Sequence, residues 1–362
     1  MKKALALIPA FCMAFALCAV PVSAAGSVAM ITDYGDITDQ SFNQTTYEAS
    51  KAFSEEHGLS FQYYKPASDS DADRITSIEK AIDDGYETII LPGYAFGPAI
   101  QEVVPEYDDI TFIALDVSEG DIGDLAADVP ENLFCAVYQE ELSGYMAGYA
   151  AVKLGYTKLG FLGGMAVPSV VRYGYGFVQG ADEAASELGL TDVEIKYVYG
   201  NQFYGDSDIT AYMDTWYANG TQVVFACGGG IFTSACEAAA KVGGKVIGVD
   251  VDQAASIDSL YGEGMTVTSA MKGLAGTIAT QLQAILDGTF EGGVVATLGL
   301  VSDDPAENFV QLPASTQFND TFTTDDYAAL VAKMNSGEIT VSADIAAAPE
   351  VSIAVDYQGN IK

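Results

Sequence analysis

Short, continuous apolar runs alternate with amphipathic segments along most of this chain, and few folds accept that pattern. Runs such as Ile89–Leu91, Phe112–Leu115 and Val223–Ala226 lack the polar alternation of a half-exposed strand, so each must be covered on both faces. Strands are expected at Val28–Thr32, Phe61–Tyr64, Thr88–Leu91, Thr111–Leu115 and Leu133–Val137. More follow at Leu159–Leu162, Glu194–Val198, Val223–Ala226, Val246–Val249 and Met265–Thr268. Helical patterns fill the gaps: Ser41–His57, Ala72–Asp84, Gly97–Val104 and Glu140–Leu154, then Tyr173–Leu188, Ser207–Asn219, Ile231–Val242 and Lys272–Leu286. The fold class is α/β, with doubly wound parallel sheets and right-handed crossovers.

The pattern divides near Cys135–Tyr138 into two α/β lobes. Residues 26–136 plus 265–290 are assigned to lobe I, and 137–264 plus 291–317 to lobe II. A chain that leaves one lobe, builds another and returns creates a hinge. Residues 318–362 read as a terminal helix (Thr324–Met334) and a strand near Val351–Val355, packing on the lobes. The strands end in small or polar residues: Asp33, Pro92-Gly93, Asp116, Gly163-Gly164, Gly228 to Gly230, and Asp250 to Asp252. A glycine at one strand end simply starts a turn. Six ends with this bias mark the side where open α/β sheets bind ligands.

Residues 1–25 read as an export signal, with Lys2 and Lys3 ahead of the apolar run Ala4–Val20 and small residues at Val22–Ala25 for cleavage. The mature protein is therefore expected outside the cytoplasm. Cleavage before Cys18 with acylation of its thiol is a second possibility, although Leu17 stands where a small residue is wanted. Of the five cysteines, Cys12 and Cys18 lie in the leader, and the other three, Cys135, Cys227 and Cys236, are scattered and apolar-flanked, which describes buried free thiols rather than a disulfide framework or metal site. The net charge is −35, which repels nucleic acid and anionic membrane surfaces. One histidine, His57, beside Glu55 and Glu56, leaves no basis for histidine-based catalysis.

The segment Ile31–Gln44 (ITDYGDITDQSFNQ) admits two accounts. Ser41 with Gln44 fits a capping box, and Phe42 would then pack inward with Ala49 and Phe53. Alternatively, Asp33, Phe42 and Asn43 gather a carboxylate, a ring and an amide where a strand gives way to a helix, a ligand-gripping corner.

Several ordered motifs together resemble the basic membrane protein, or PnrA-like, substrate-binding proteins of ABC importers. They are ITDYGDITDQSFNQ, VYQEELSGYMAGYAA (Val137–Ala151), LGFLGGMAVPSVVRYGYGFVQGA (Leu159–Ala181), VVFACGGG (Val223–Gly230), VIGVDVDQ (Val246–Gln253) and VTSAMKG (Val267–Gly273). The resemblance covers about residues 27 to 300. It implies a periplasmic-binding-protein type I-like fold, two lobes closing on a ligand. The acidic chain and the absence of an evident lipidated cysteine with a polar linker depart from the family pattern.

Studied members bind purine nucleosides, so the resemblance implies a nucleoside-like ligand, no enzyme activity and no cofactor. Phe42 would stack on one face of the base and Phe203 on the other, with Tyr204 as the substitute. Asp33, Asn43 and Asp116 would address the base edge, with a helix or turn cap as the ordinary alternative for Asp116. Asp250, with Asp252 nearby, would hold the ribose diol, and Lys272 would donate to it. Gly228 or Gly229 would bring backbone beside the sugar. The implied partners are a permease and an ATPase at the plasma membrane, with the binding protein itself a monomer. Two other readings share the pattern. One is a sugar receptor of the same fold; the other is an exported nucleoside-processing enzyme, whose carboxylates at Ala67–Asp73 would be the place for a metal.

Overall fold

The computed structural model describes residues 26–362, so the leader, its cleavage sites and Cys18 lie outside the described residues. The chain begins β1 (Ser27–Ile31), α1 (Phe42–His57), β2 (Ser60–Tyr64), α2 (Asp71–Asp83), β3 (Thr88–Pro92), α3 (Gly97–Val103), β4 (Thr111–Leu115) and β5 (Leu133–Tyr138). It continues α4 (Glu140–Lys153), β6 (Lys158–Gly163), α5 (Pro168–Leu188), β7 (Glu194–Tyr199), α6 (Ser207–Ala218) and β8 (Val223–Cys227). Next come α7 (Phe232–Ala240), β9 (Lys245–Asp250), α8 (Ala254–Tyr261), β10 (Thr266–Lys272) and α9 (Leu274–Asp287). The last elements are β11 (Val294–Leu298), β12 (Val310–Gln311), α10 (Thr324–Asn335) and β13 (Ala354–Asn360).

Six strands form one sheet in the order β11-β5-β4-β3-β1-β2, and seven form a second in the order β12-β10-β9-β8-β6-β7-β13. Every strand pair is parallel except β10 with β12. The continuous apolar runs lie at the sheet centres, where Ile89 to Leu91 and Phe112 to Leu115 are fully covered. Burial on both faces is what an unalternating strand requires. The three cysteines of the described residues are buried free thiols, and burial pushes the Cys135 thiol up to about 12.

The chain crosses between the sheets three times, after β5, after β10 and after β11. The crossings are tied side by side: Gln139 N–H donates to Leu298 O (2.9 Å), Gly273 N–H to Phe309 O (2.7 Å) and Phe309 N–H to Gly299 O (3.0 Å). Sheet membership corrects the expected division at two places. Residues 265–290 do not return whole to the first unit, because β10 pairs with β9 in the second sheet while α9 packs on α1. Residues 291–317 do not stay with the second unit, because β11 pairs with β5 and only β12 rejoins the second sheet. A restarted strand–helix pattern tells where elements begin, not which edge a strand will pair with. The C-terminal strand extends the second sheet alongside β7.

One helix pair sets the geometry near the crossings. Gly144 and Gly148 of α4 face Gly176 and Gly180 of α5 so closely that a Cβ on any of them would collide with a backbone carbonyl of the other helix. This stripe of small residues brings the two backbones into contact and holds the N-terminus of α4 against the first turns of α5. Glu140 and Arg172 meet there, with Arg172 Nε donating to Glu140 Oε2 (2.6 Å).

Candidate functional site

The carboxyl ends of the strands from both sheets open onto one cleft of about 580 Å³. β1 leads into Asp33, β3 into Gly93 and Tyr94, and β4 into Asp116. On the other side β8 leads into Gly228 and Gly229, β9 ends at Asp250 and β10 ends at Lys272. All nine residues singled out in the sequence (Asp33, Phe42, Asn43, Asp116, Phe203, Gly228, Gly229, Asp250 and Lys272) line this cleft. Asp116 and Asp250 both sit in left-handed backbone, with φ of 56° and 67°. Such a conformation costs of order 1 kcal/mol in a residue other than glycine, and it clusters at functional sites.

At the base of the cleft lies a buried charge cluster. Lys272 Nζ is 2.6 Å from Asp116 Oδ2, 3.6 Å from Glu140 Oε1 and 3.7 Å from Asp250 Oδ1. It also stands 4.8 Å from the centre of the Phe42 ring, a cation–π contact. Burial alone would favour the neutral amine, but Asp116, Asp250 and Glu140 together hold the lysine pKa above its ordinary value. The same burial pushes Asp250 up to about 6, against the opposing pull of Lys272 and Ser41. Glu140 is raised by burial too, with Lys272 and Arg172 working the other way. Next along α4, Glu141 is driven up to about 7, chiefly by burial and secondarily by Glu140.

The rim on the first unit is polar. Asp33 Oδ1 accepts the N–H groups of Tyr34 (2.6 Å) and Gly35 (2.9 Å), and burial raises its carboxyl despite them. Asn43 Oδ1 and Asp116 Oδ1 are buried and have no hydrogen-bond partner among the described residues. On the second unit Phe203 lies over Gly164 and Gly228, both of which leave room only because they lack a Cβ. Tyr204 also lines the cleft but is 63% exposed.

Three expectations need correction. Ser41 does not close a capping box: its hydroxyl donates to Asp250 Oδ2 (2.5 Å), and Asp39 caps α1 instead. Gln44 accepts from Gln40 N–H (3.0 Å) and donates to Glu48. Asp252 is not among the residues lining the cleft; it accepts from Ser315 and from Ala254 N–H. In Ala67–Asp73, Asp69 and Asp71 pair with Arg74, while Ser70 caps α2. Those acids are thus engaged in holding a buried arginine.

Sequence reasoning passed over Tyr34, Tyr94, Ser169, Tyr173 and Asp39, which also line the cleft, and the Glu140–Arg172 pair beneath it. Tyr94 follows the Pro92-Gly93 strand end, a signal that could have found it. Glu140 and Arg172 carry no signal of burial in the sequence, and the close α4–α5 contact brings them together.

Two parallel-sheet units joined by three adjacent crossings, with a cleft between them that both line, have the two-lobed architecture used by substrate-binding proteins of ABC transporters. Residues 26–343 match the model of the Bmp family, described as ABC transporter substrate-binding protein PnrA-like, and the chain belongs to that family. Proteins of this class work outside the cytoplasm with a permease and an ATPase. The chain is 27% identical over 289 residues to the ABC transporter nucleoside-binding protein BmpA of Lactococcus lactis, covering 75% of this chain and 78% of that one. It is 28% identical over 301 residues to basic membrane protein B of Borreliella burgdorferi, covering 80% and 82%. A solute-binding protein of an ABC transporter system from Aeropyrum pernix superposes with a TM-score of 0.71 at 20% identity, covering 88% and 94%. Among the described residues no helix is long and apolar enough to cross a membrane.

Proposed function

We propose that the cleft captures a nucleoside, with a purine base, and delivers it as a monomer to a membrane permease. What supports this most directly is the combination of two aromatic rings, Phe42 from the first unit and Phe203 from the second, with buried acceptors that lack partners among the described residues. A nucleobase offers flat apolar faces and a polar edge, and stacking on an aromatic ring is worth about 1–3 kcal/mol per base. Asn43 Oδ1 and Asp116 Oδ1 would regain on the base edge the hydrogen bonds that burial denies them. Asp250 and Lys272, lying 3.7 Å apart, would hold the ribose diol between an acceptor and a donor. The name of the Lactococcus lactis relative points the same way.

The process is capture without bond making. The open cleft would admit the ligand, and contacts available only when both units touch it would favour the closed form. Thermal-shift and calorimetric titration with adenosine, guanosine, inosine, ribose and galactose test the reading, alongside mass spectrometry of any small molecule that co-purifies. Stabilisation by nucleosides is expected, with no product formed on incubation. Stabilisation by the sugars and by no nucleoside would overturn it.

A further inference from the structure

We infer that Asp39 is a positioning residue that sets which hydrogen-bonding edge the cleft accepts, by fixing the orientation of the Asn43 amide. This rests on the nucleoside reading and deepens it. Asp39 Oδ1 accepts the N–H groups of Ser41 (2.9 Å) and Gln44 (3.0 Å), and its Oδ2 accepts the N–H of Asn43 (2.9 Å). A carboxylate holding three donors has only acceptor capacity to offer a fourth group. The side-chain nitrogen of Asn43 must therefore face it, and Nδ2 lies 3.1 Å from Oδ2. An unconstrained asparagine can turn its amide over and present either end. Here the nitrogen is committed, and Oδ1 is left as the end without a protein partner.

The neighbours present the same polarity. Asp33 spends Oδ1 on two loop N–H groups, and among the described residues no protein donor reaches its Oδ2. Gly93, at φ 124°, leaves that oxygen uncovered; a Cβ there would stand 2.7 Å from it. Asp116 likewise keeps Oδ1 unpartnered. Three cleft-lining residues thus offer lone pairs only, and a ligand edge that also offers lone pairs would leave them unsatisfied. The favoured base carries donors on its six-membered ring. Guanosine has a ring N–H and an amine, inosine has the ring N–H, and purine riboside has neither.

Calorimetric titration of the mature protein with these three nucleosides tests the inference. Purine riboside is expected to bind about tenfold or more weaker than guanosine, a gap the size of one hydrogen bond. In Asp39→Asn, which keeps a cap oxygen for α1 but lets the neighbouring amide turn, the ratio should shrink to about threefold or less. The exchanged pair Asp39→Asn with Asn43→Asp again leaves an acceptor oxygen for the cleft and should restore the ratio. A purely structural role would weaken all three ligands by one factor and leave the ratio alone. An unchanged ratio in folded Asp39→Asn overturns the inference, as does a wild-type protein that binds the three nucleosides equally. If Asp39→Asn does not fold, the exchanged pair decides: a retained ratio supports the inference and a lost one overturns it. Should none of the nucleosides bind the wild type, the nucleoside reading falls and this inference falls with it.

Discussion

Ser41, at the start of α1, and Asp250, at the end of β9, join the two units through a 2.5 Å hydrogen bond across the cleft. Beside it Gln253 Nε2 donates to Gln40 O (2.9 Å), so two adjacent links span the same gap. Ser41 is fully buried and Asp250 nearly so, which removes water as a substitute partner. In the capture mechanism proposed above, this pair should break whenever the units part.

Ser41→Ala leaves a carboxylate oxygen of Asp250 buried without its donor. A hydrogen bond to a charged group is worth about 1.5–3 kcal/mol, so ligand affinity should fall roughly tenfold or more. The loss should appear mainly as faster dissociation in stopped-flow or surface-binding kinetics. Unchanged affinity and unchanged dissociation would show that the link does not favour closure.

Lys272→Met removes the counter-charge from Asp116, Asp250 and Glu140 together. Breaking a buried ion pair from one side costs about 3–5 kcal/mol, so urea unfolding at neutral pH should shift to clearly lower midpoints and ligand binding should be lost. Without the lysine, the pKa values of Asp250 and Glu140, already raised by burial, rise further above their unfolded values. Such groups favour folding when protonated, so the deficit should narrow as pH falls toward 5. A deficit independent of pH would contradict this account.

Glu141 gives a separate handle on pH, because it lies outside the cleft lining and its Oε2 is buried without a partner among the described residues. Its folded pKa of about 7 stands above the ordinary glutamate value of 4.5. A raised acid pKa contributes stability fully below the unfolded value, and that contribution disappears as pH rises through the folded one. The wild-type melting temperature should therefore fall between about pH 5 and 8. Glu141→Gln should flatten that slope and be the more stable protein at the upper end. Parallel pH profiles for the two would rule out a role for this residue.

Two glycine-to-alanine changes separate packing from helix propensity. Gly176→Ala drives a methyl into the backbone carbonyl of Glu141, and overpacking of this kind costs about 1–3 kcal/mol. Gly276→Ala, exposed on α9 with open space around it, should instead stabilise by about 0.5–1 kcal/mol. Denaturant melts of both variants check the pair, and a loss at both positions would contradict the helix-contact explanation.

Much of the framework was legible because buried parallel strands leave continuous apolar runs. Thr111–Leu115 appears as expected, and most other expected strands differ by a residue or two at either end. The short α8 and the two-residue β12 were missed, since partly exposed or very short elements leave no such run; the edge strand β11 was missed although Val294–Leu298 (VVATL) is one. Asp33, Asp116, Gly228 and Asp250 stand at or just past strand ends, a position visible in the sequence, while Phe42 and Asn43 open α1 and Phe203 lies in the loop after β7. What stayed hidden depended on partners distant in sequence. Ser41 could not announce a bond to a residue more than two hundred positions away, and Arg172 and Glu140 come together where four glycines let two helices touch.

The left-handed turns at Asp116 and Asp250 also bear on how this cleft could be altered. Few side chains tolerate that conformation, with asparagine and glycine the usual substitutes. A longer glutamate would meet a backbone penalty before its chemistry mattered. The two acids are thus close to fixed by geometry, and a lineage changing its preferred cargo would have freer scope at the surrounding positions, the loop from Tyr34 to Asp39 and the tyrosines at 94 and 173.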